Sequence, residues 1–374
     1  MKKITISGVI LILFALLLTS AGCSKDNTPA TAKKSAVSSA ETEKKQEKTV
    51  YKVKLGNTLL GNILAFIADD SGIFKEEGIE PEFMTFQSSA DGLNAIMVDA
   101  LDVGMIYGCA YPLLYITKGV DFTIFGGYMS GGYPVVAFEG TFKDGYKGLE
   151  SFVGKTVALA RNYTPDLVWH IAMQDAGYVE DVDYKIIYGS NQSETLQMVL
   201  SKKADVTLAA WSMYQSALNA GLQVYDWSNN LWDHTHVCCR LVANTKWINE
   251  NPARTKALLR AFLRAEKRYE ADKNYVKALW IKLNKMGEEQ AQALTYDIPF
   301  EIEADPKANG VKFWWDKLHQ VKFMDTAKID LFANHMNIAL YKEALDELLK
   351  ENPNDPFYTK LQKRYLEYNS KMLE

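Results

Sequence analysis

The chain has 374 residues, 48% of them hydrophobic, and a formal net charge of −4 at pH 7. That length and apolar content suit two lobes with cores of their own and exclude a disordered or fibrous protein. The mild acidity lacks the basic stripe that a nucleic-acid partner would require, and aromatics at 12% suffice both for cores and for a ligand cleft.

The first 23 residues read as an export signal rather than as fold. Lys2 and Lys3 give a positive start, an apolar run occupies positions 9–18, and Thr19, Ser20, Ala21 and Gly22 lead to Cys23. The run is too short to span a bilayer as a mature helix. Its Gly-Cys ending resembles the lipobox of bacterial lipoproteins, although Ser20 stands where leucine is usual. The resemblance implies lipidation at Cys23 and anchoring on the extracytoplasmic face of the cell membrane. Residues 24–49 contain no aromatic and mix lysine with glutamate, as a solvated tether does. Such a tether would hold the folded body on the order of 30 Å from the membrane. Export leaves Cys109, Cys238 and Cys239, an odd count that predicts three buried thiols and no disulfide framework.

From Tyr51 the pattern predicts a strand over 53–60, a helix over 63–70 ended by Ser71-Gly72, a strand over 79–86, a helix over 90–98 and a strand over 101–107. Gly126-Gly127 and Gly131-Gly132, flanking Tyr128, suit either a flexible turn or close approach of backbone to a ligand. A second series follows: a strand over 156–159, a helix over 165–175, a strand over 184–188, a helix over 193–200 and a strand over 206–210. The alternation predicts βαβ units on two mainly parallel sheets. Beyond Asn251 the chain reads as almost wholly helical, with helices over 252–267, 335–350 and 357–373.

Several ordered segments resemble the substrate-binding proteins of ABC importers. The similarity is to the nitrate/sulfonate/taurine group and its thiamine-pyrimidine-precursor-binding relatives. The segments are Ala65-Phe66-Ile67-Ala68 with Ser71-Gly72-Ile73-Phe74-Lys75-Glu76-Glu77-Gly78-Ile79, then 90–104, Phe152-Val153-Gly154-Lys155-Thr156-Val157-Ala158, Ala204-Asp205 through Trp211, and Asn251-Pro252-Ala253-Arg254 through Arg264-Ala265. The resemblance implies an α/β fold of the type II periplasmic-binding-protein kind, two lobes joined by two crossovers and closing over a solute. Lobe I is expected to comprise 50–134 plus 242–374 and lobe II 135–241, with crossings near 133–136 and 241–243. It implies no enzyme activity and no cofactor. The expected partners are a small-molecule solute, the transmembrane subunits of an ABC permease and the membrane, with the chain itself a monomer.

Ligands on such sheets sit beyond the carboxyl ends of the strands, beside helix N-termini. In the first lobe this nominates Leu60, Asn62, Gln87, Ser88, Ser89, Tyr107, Gly108, Cys109 and Tyr128. In the second it nominates Asn162, Tyr163, Thr164, Ser190, Trp211 and Tyr214. Thr164 is expected to cap its helix with Pro165 at the first helical position. Hydroxyls and amides suit an anionic head group, while Tyr107, Tyr163, Trp211 and Tyr214 suit a planar or apolar body. Arg161 could meet an anion or point to solvent. A pyrimidine would call for a carboxylate, and Asp166 is the nearest.

Two rivals come from the 233–239 segment. If extended, it puts His234, His236 and Cys238 on one face with the chemistry of a zinc or copper site. The segment is expected next to the crossover, away from the cleft loops, and no bound metal is assigned to it. The eukaryotic thiamine-pyrimidine synthases share the fold and carry a Cys-Cys-Cys-x-Cys iron motif. Here only Cys238-Cys239 stands, followed by Arg240, and no nucleophile elbow, phosphate loop or carboxylate pairing appears.

Overall fold

The structure is a computed structural model that describes residues 49–372 apart from 59, 162, 233 and 234. Cys23, the export signal and nearly all of the tether lie outside those residues, as do Asn162 and His234. Among the described residues eleven strands are formed: β1 (Tyr51–Asn57), β2 (Ile79–Thr85), β3 (Val103–Gly108), β4 (Phe122–Ser130), β5 (Pro134–Phe138), β6 (Thr156–Ala160), β7 (Lys185–Gly189), β8 (Val206–Leu208), β9 (Leu222–Trp227), β10 (Val237–Asn244) and β11 (Glu301–Ile302). They build one sheet in the order β11-β4-β10-β3-β1-β2 and another in the order β7-β6-β8-β5-β9. These sheets are the cores of two α/β lobes. Among the described residues no helix is long and apolar enough to cross a membrane.

Both sheets are mixed, where mainly parallel ones were expected. β1 pairs parallel with β2 and β3, and β6 with β7 and β8, as helix-linked crossovers require. β10 runs antiparallel to β3 and β4, and β5 antiparallel to β8 and β9. Each of these two strands is the first after a passage between sheets, so it arrives with no helix to turn it round. The outward passage lies between Ser130 and Pro134, where Gly131 and Gly132 take φ of +68° and +86°, a region that side chains disfavour. The return lies between Trp227 and Val237. The boundary expected at residues 241–243 therefore falls inside β10.

Local chemistry accounts for the helices that frame the strands. Ile63–Asp70 begins on Asn62, whose Oδ1 accepts from the Leu64 and Ala65 amides at 2.9 and 3.2 Å. Ser88 and Asn191 cap Ser89–Met97 and Gln192–Leu200 in the same way. Pro252–Ala271 packs an apolar stripe of Leu258, Leu259, Phe262 and Ala265 against Ile63–Asp70 and Ala339–Glu351. Arg260 and Arg264 of that helix grip the buried Glu77 carboxylate at 2.8 and 2.7 Å, which holds its pKa below the usual range despite burial.

Gly126-Gly127 is neither a turn nor a ligand contact. It sits inside β4, where a Cβ on Gly127 would lie 2.0 Å from the Asp305 carbonyl oxygen. The glycine is needed because residues 303–305 cross the sheet face there, with the Gly127 amide donating to the Ala304 carbonyl at 2.8 Å.

That crossing segment carries a buried ionic network. Arg364 lies 2.7 Å from Glu266 and 3.6 Å from Glu303, and Lys307 pairs with Glu303 and Glu301. Burial pushes Glu266 up to about 7 against the pull of Arg364. Arg364→Ala should cost about 3–5 kcal/mol at pH 8, because it strands buried carboxylates. Without Arg364 the Glu266 carboxyl is pushed higher still, so the deficit should shrink as pH falls toward 7 and level off below it, where Glu266 is protonated in both proteins. Urea denaturation of both proteins at several pH values measures it.

Candidate ligand-binding cleft

A cavity of about 580 Å³ opens between the two sheets, within the usual range for small-molecule sites. The first lobe contributes Thr58, Leu60, Gln87, Ser88, Ser89, Ile106, Gly108 and Tyr111. The second contributes Tyr163, Thr164, Pro165, Asn191, Gln192, Ser193, Ala210, Trp211, Ser212 and Met213. Tyr133 of the outward passage, Cys238 and Cys239 of β10, and Gln290 of the C-terminal helices complete the lining.

Of the residues nominated from sequence, Leu60, Gln87, Ser88, Ser89, Gly108, Tyr163, Thr164 and Trp211 are brought together here. The other nominated residues that are described face elsewhere for identifiable reasons. Asn62 is turned back into its helix cap. Tyr107 points into the first sheet's core, where Gly56, Gly92 and Gly104 leave room for its ring; a Cβ on any of them would come within 2.4 Å of it. Tyr128 is also a core residue, its hydroxyl accepting from the Ile63 amide at 3.3 Å. Cys109 is buried behind Gly108, its amide bonded to the Cys238 carbonyl. Ser190 is tied to the Glu194 carboxylate through its amide and hydroxyl, at 2.7 and 2.6 Å. Tyr214 stacks on Trp227 with ring centres 5.7 Å apart. Arg161 lies over the Tyr188 ring at 3.8 Å, a cation–π contact rather than an anion site.

Thr164 is not a cap. The cap position belongs to Tyr163, which offers no side-chain bond, and Thr164 is the first helical residue with Pro165 second. Its hydroxyl is thereby available for the cavity, which Tyr133 and Cys238 also line. Tyr133 Oη is 3.2 Å from Cys238 Sγ, which is 3.1 Å from Cys239 Sγ. Bonds from the Cys239 thiol and the Tyr133 hydroxyl hold the Cys238 thiol below the usual range, while the bond to Cys238 and burial push Cys239 up. All three described cysteines are free and buried, as their count predicted.

The sequence placed the 233–239 segment away from the cleft, and that expectation fails. Because β10 runs antiparallel to β3, its first residues lie beside the last residues of β3, where Cys239 pairs with Gly108. The direction of one strand thus carries the two thiols to the cavity floor. His236 is buried, its ring stacked on Tyr133 and edge-on to Trp232 and Trp314. Among the described residues no group of three His, Cys, Asp or Glu could hold a metal. Gln290 and Tyr111 gave no local signal, since only long-range packing places them here.

No Asp, Glu, Lys, Arg or His is among the described lining residues. Asp166 is buried with Oδ1 3.3 Å from His170 Nε2 and does not reach the cavity. The helices Ser89–Met97, Thr164–Asp175 and Gln192–Leu200 start at the cavity and direct amide dipoles toward it. Hydroxyls, amides and helix starts from both lobes, with Tyr111, Tyr163 and Trp211 also in the lining, can bind and orient a solute. No carboxylate or imidazole of the described lining stands beside them to serve as general acid or base.

Two α/β lobes joined by two passages, with a cavity between them, define the architecture of the periplasmic solute-binding proteins of ABC importers. The chain belongs to the NMT1-like family, whose model matches residues 45–282. Among solved structures it is similar to the periplasmic nitrate-binding protein NrtA of Synechocystis, with TM-score 0.66, 16% identity, and coverage of 80% of this chain and 89% of that one. The aliphatic sulphonate-binding protein SsuA of Escherichia coli gives 0.61, 16%, 73% and 88%. The alkanesulfonate-binding protein SsuA of Xanthomonas axonopodis, bound to MOPS, gives 0.62, 12%, 78% and 99%. No curated protein matches the chain.

A Cβ on Gly108 would stand 2.8 Å from Thr164 Oγ1, so the two lobes meet there without slack. Gly108→Ala should destabilise the chain by about 1–3 kcal/mol through overpacking. Combining it with Thr164→Ala should recover most of the loss, giving a non-additive cycle in chemical denaturation.

Proposed function

We propose that this chain is the solute-binding component of an ABC importer, held outside the cell membrane by lipid at Cys23. Its solute is a small organic anion of the sulfonate type with a planar or apolar body, captured by closure of the lobes and delivered to the permease. The observation that carries this reading is the lining: hydroxyls, amides and helix starts to hold oxygen acceptors, aromatic walls on both sides, and no described carboxylate. A cavity of about 580 Å³ is roomy for nitrate alone and suits a molecule with a body. A pyrimidine carrying an amino group lacks its carboxylate here, although the tyrosine and tryptophan walls favour its ring. The fold shared with sulfonate- and nitrate-binding proteins supports the receptor class.

A thermal-shift panel of aliphatic and aromatic sulfonates, taurine, nitrate and aminopyrimidines tests the solute. A true ligand at a hundredfold above its Kd should stabilise by about 2.7 kcal/mol, a rise of several degrees in Tm. Ring-bearing sulfonates are expected to give the largest rise, and Trp211→Ala to weaken them by about 1–2 kcal/mol. A panel in which only aminopyrimidines act would transfer the assignment to them. For the anchor, wild-type cells should incorporate labelled palmitate into the protein and Cys23→Ala should not; an unlabelled wild type would remove the lipid.

A further inference from the structure

Cys238 and Cys239 are adjacent in sequence, yet both line the cavity and their sulfurs are 3.1 Å apart. A regular strand sends successive side chains to opposite faces. Here the register of β10 against β4 shifts on both sides of Cys239, which breaks that alternation and turns both thiols the same way. No charged side chain of the described lining competes for the space beside them, and Tyr133 Oη sits 3.2 Å from Cys238 Sγ.

We infer that the vicinal thiols Cys238 and Cys239 form a chelating subsite on the cavity floor for a trivalent arsenical, a thiophilic centre bearing an organic group. The inference rests on this cavity being a ligand site. The geometry selects the centre. With bonds of about 2.3 Å, a tetrahedral zinc would hold two sulfurs about 3.8 Å apart, whereas a separation of 3.1 Å closes the angle at the centre to about 85°. Trivalent arsenic is pyramidal, its lone pair drawing the bond angles toward a right angle, so it accepts the narrow bite. Zinc also requires further protein donors, and none completes a set among the described residues. An arsenical brings its own third substituent. That substituent, when aromatic, extends from the floor between Tyr111, Tyr163 and Trp211.

The step balances without an oxidant. R–As(OH)₂ meets two thiols; two As–O and two S–H bonds break, two As–S bonds form, and two water molecules leave. The Thr164 and Tyr133 hydroxyls stand beside Cys238 to bond the departing hydroxide oxygens.

The full chain, reduced and then freed of reductant under anaerobic conditions, is titrated with phenylarsine oxide and followed by intact-mass spectrometry and by thiol counting in denaturant. One phenylarsenic unit per chain with the loss of two thiols, reversed by excess small dithiol, is expected. Cys238→Ser and Cys239→Ser should each lose the adduct, and Cys109→Ser should keep it. Retention of the adduct in either of the first two variants would overturn the inference. So would displacement by equimolar zinc from the wild type, a control that holds even where a serine variant fails to fold. An arsenical that binds as described while the sulfonate panel leaves Tm unchanged supports this subsite and removes only the solute assignment. A panel that succeeds while no adduct forms does the reverse.

Discussion

The antiparallel entry of β10 between β3 and β4 is the constraint on which the rest of the structure depends. A strand returning from the second lobe has no helix to reverse it, so it must run against the helix-linked strands beside it. Its start therefore lies at their carboxyl ends, where a ligand would sit, and its end lies beside their amino ends. That direction brings Cys238 and Cys239 to the cavity, and the register shift around Cys239 turns both thiols into it. Arg240 follows on the same strand and is buried, donating to the Met129 and Cys239 carbonyls at 3.1 and 2.8 Å and to the Ser130 hydroxyl at 3.1 Å. One strand thus ties the return passage to the last residues of β4, where the outward passage begins.

Charge is distributed unequally about this strand. The described cavity lining is uncharged, whereas Glu266, Glu303 and Lys307 are buried behind β4 with Arg364 partly buried against them. Buried ions demand partners at fixed geometry, so they specify how the C-terminal helices dock on the first sheet. A cleft that must bind and release a solute is better served by neutral donors, which lose little when their partner leaves. The rigid charges are therefore kept where nothing has to move.

Much of this was legible in the sequence, and the failures have a common cause. Helices with a cap and a stripe, such as Ile63–Asp70 behind Asn62, were placed to the residue, because their signals are local. The loops after β2, β3 and β8 were located from the alternation of strands and helices, so Gln87, Ser88, Gly108 and Trp211 were found at the cavity. Asn62 was misjudged because one amide side chain can serve a ligand or its own helix, and spacing does not distinguish them. Tyr107 was misjudged because three glycines distant in sequence create its pocket. Cys238 and Cys239 were missed through strand direction, which composition and periodicity do not encode.

The C-terminal segment also touches the second lobe. Phe300 lies edge-on to Trp211 at 5.6 Å, Asn229 donates to the Pro299 carbonyl at 2.9 Å, and Lys317 pairs with Asp175 at 2.7 Å. Any widening of the cleft must separate these pairs. If the lobes close over a solute as proposed, the strength of these pairs enters the balance between open and shut forms, and with it the apparent affinity. Phe300 and Lys317, outside the described lining, would then share control of how tightly the solute is held.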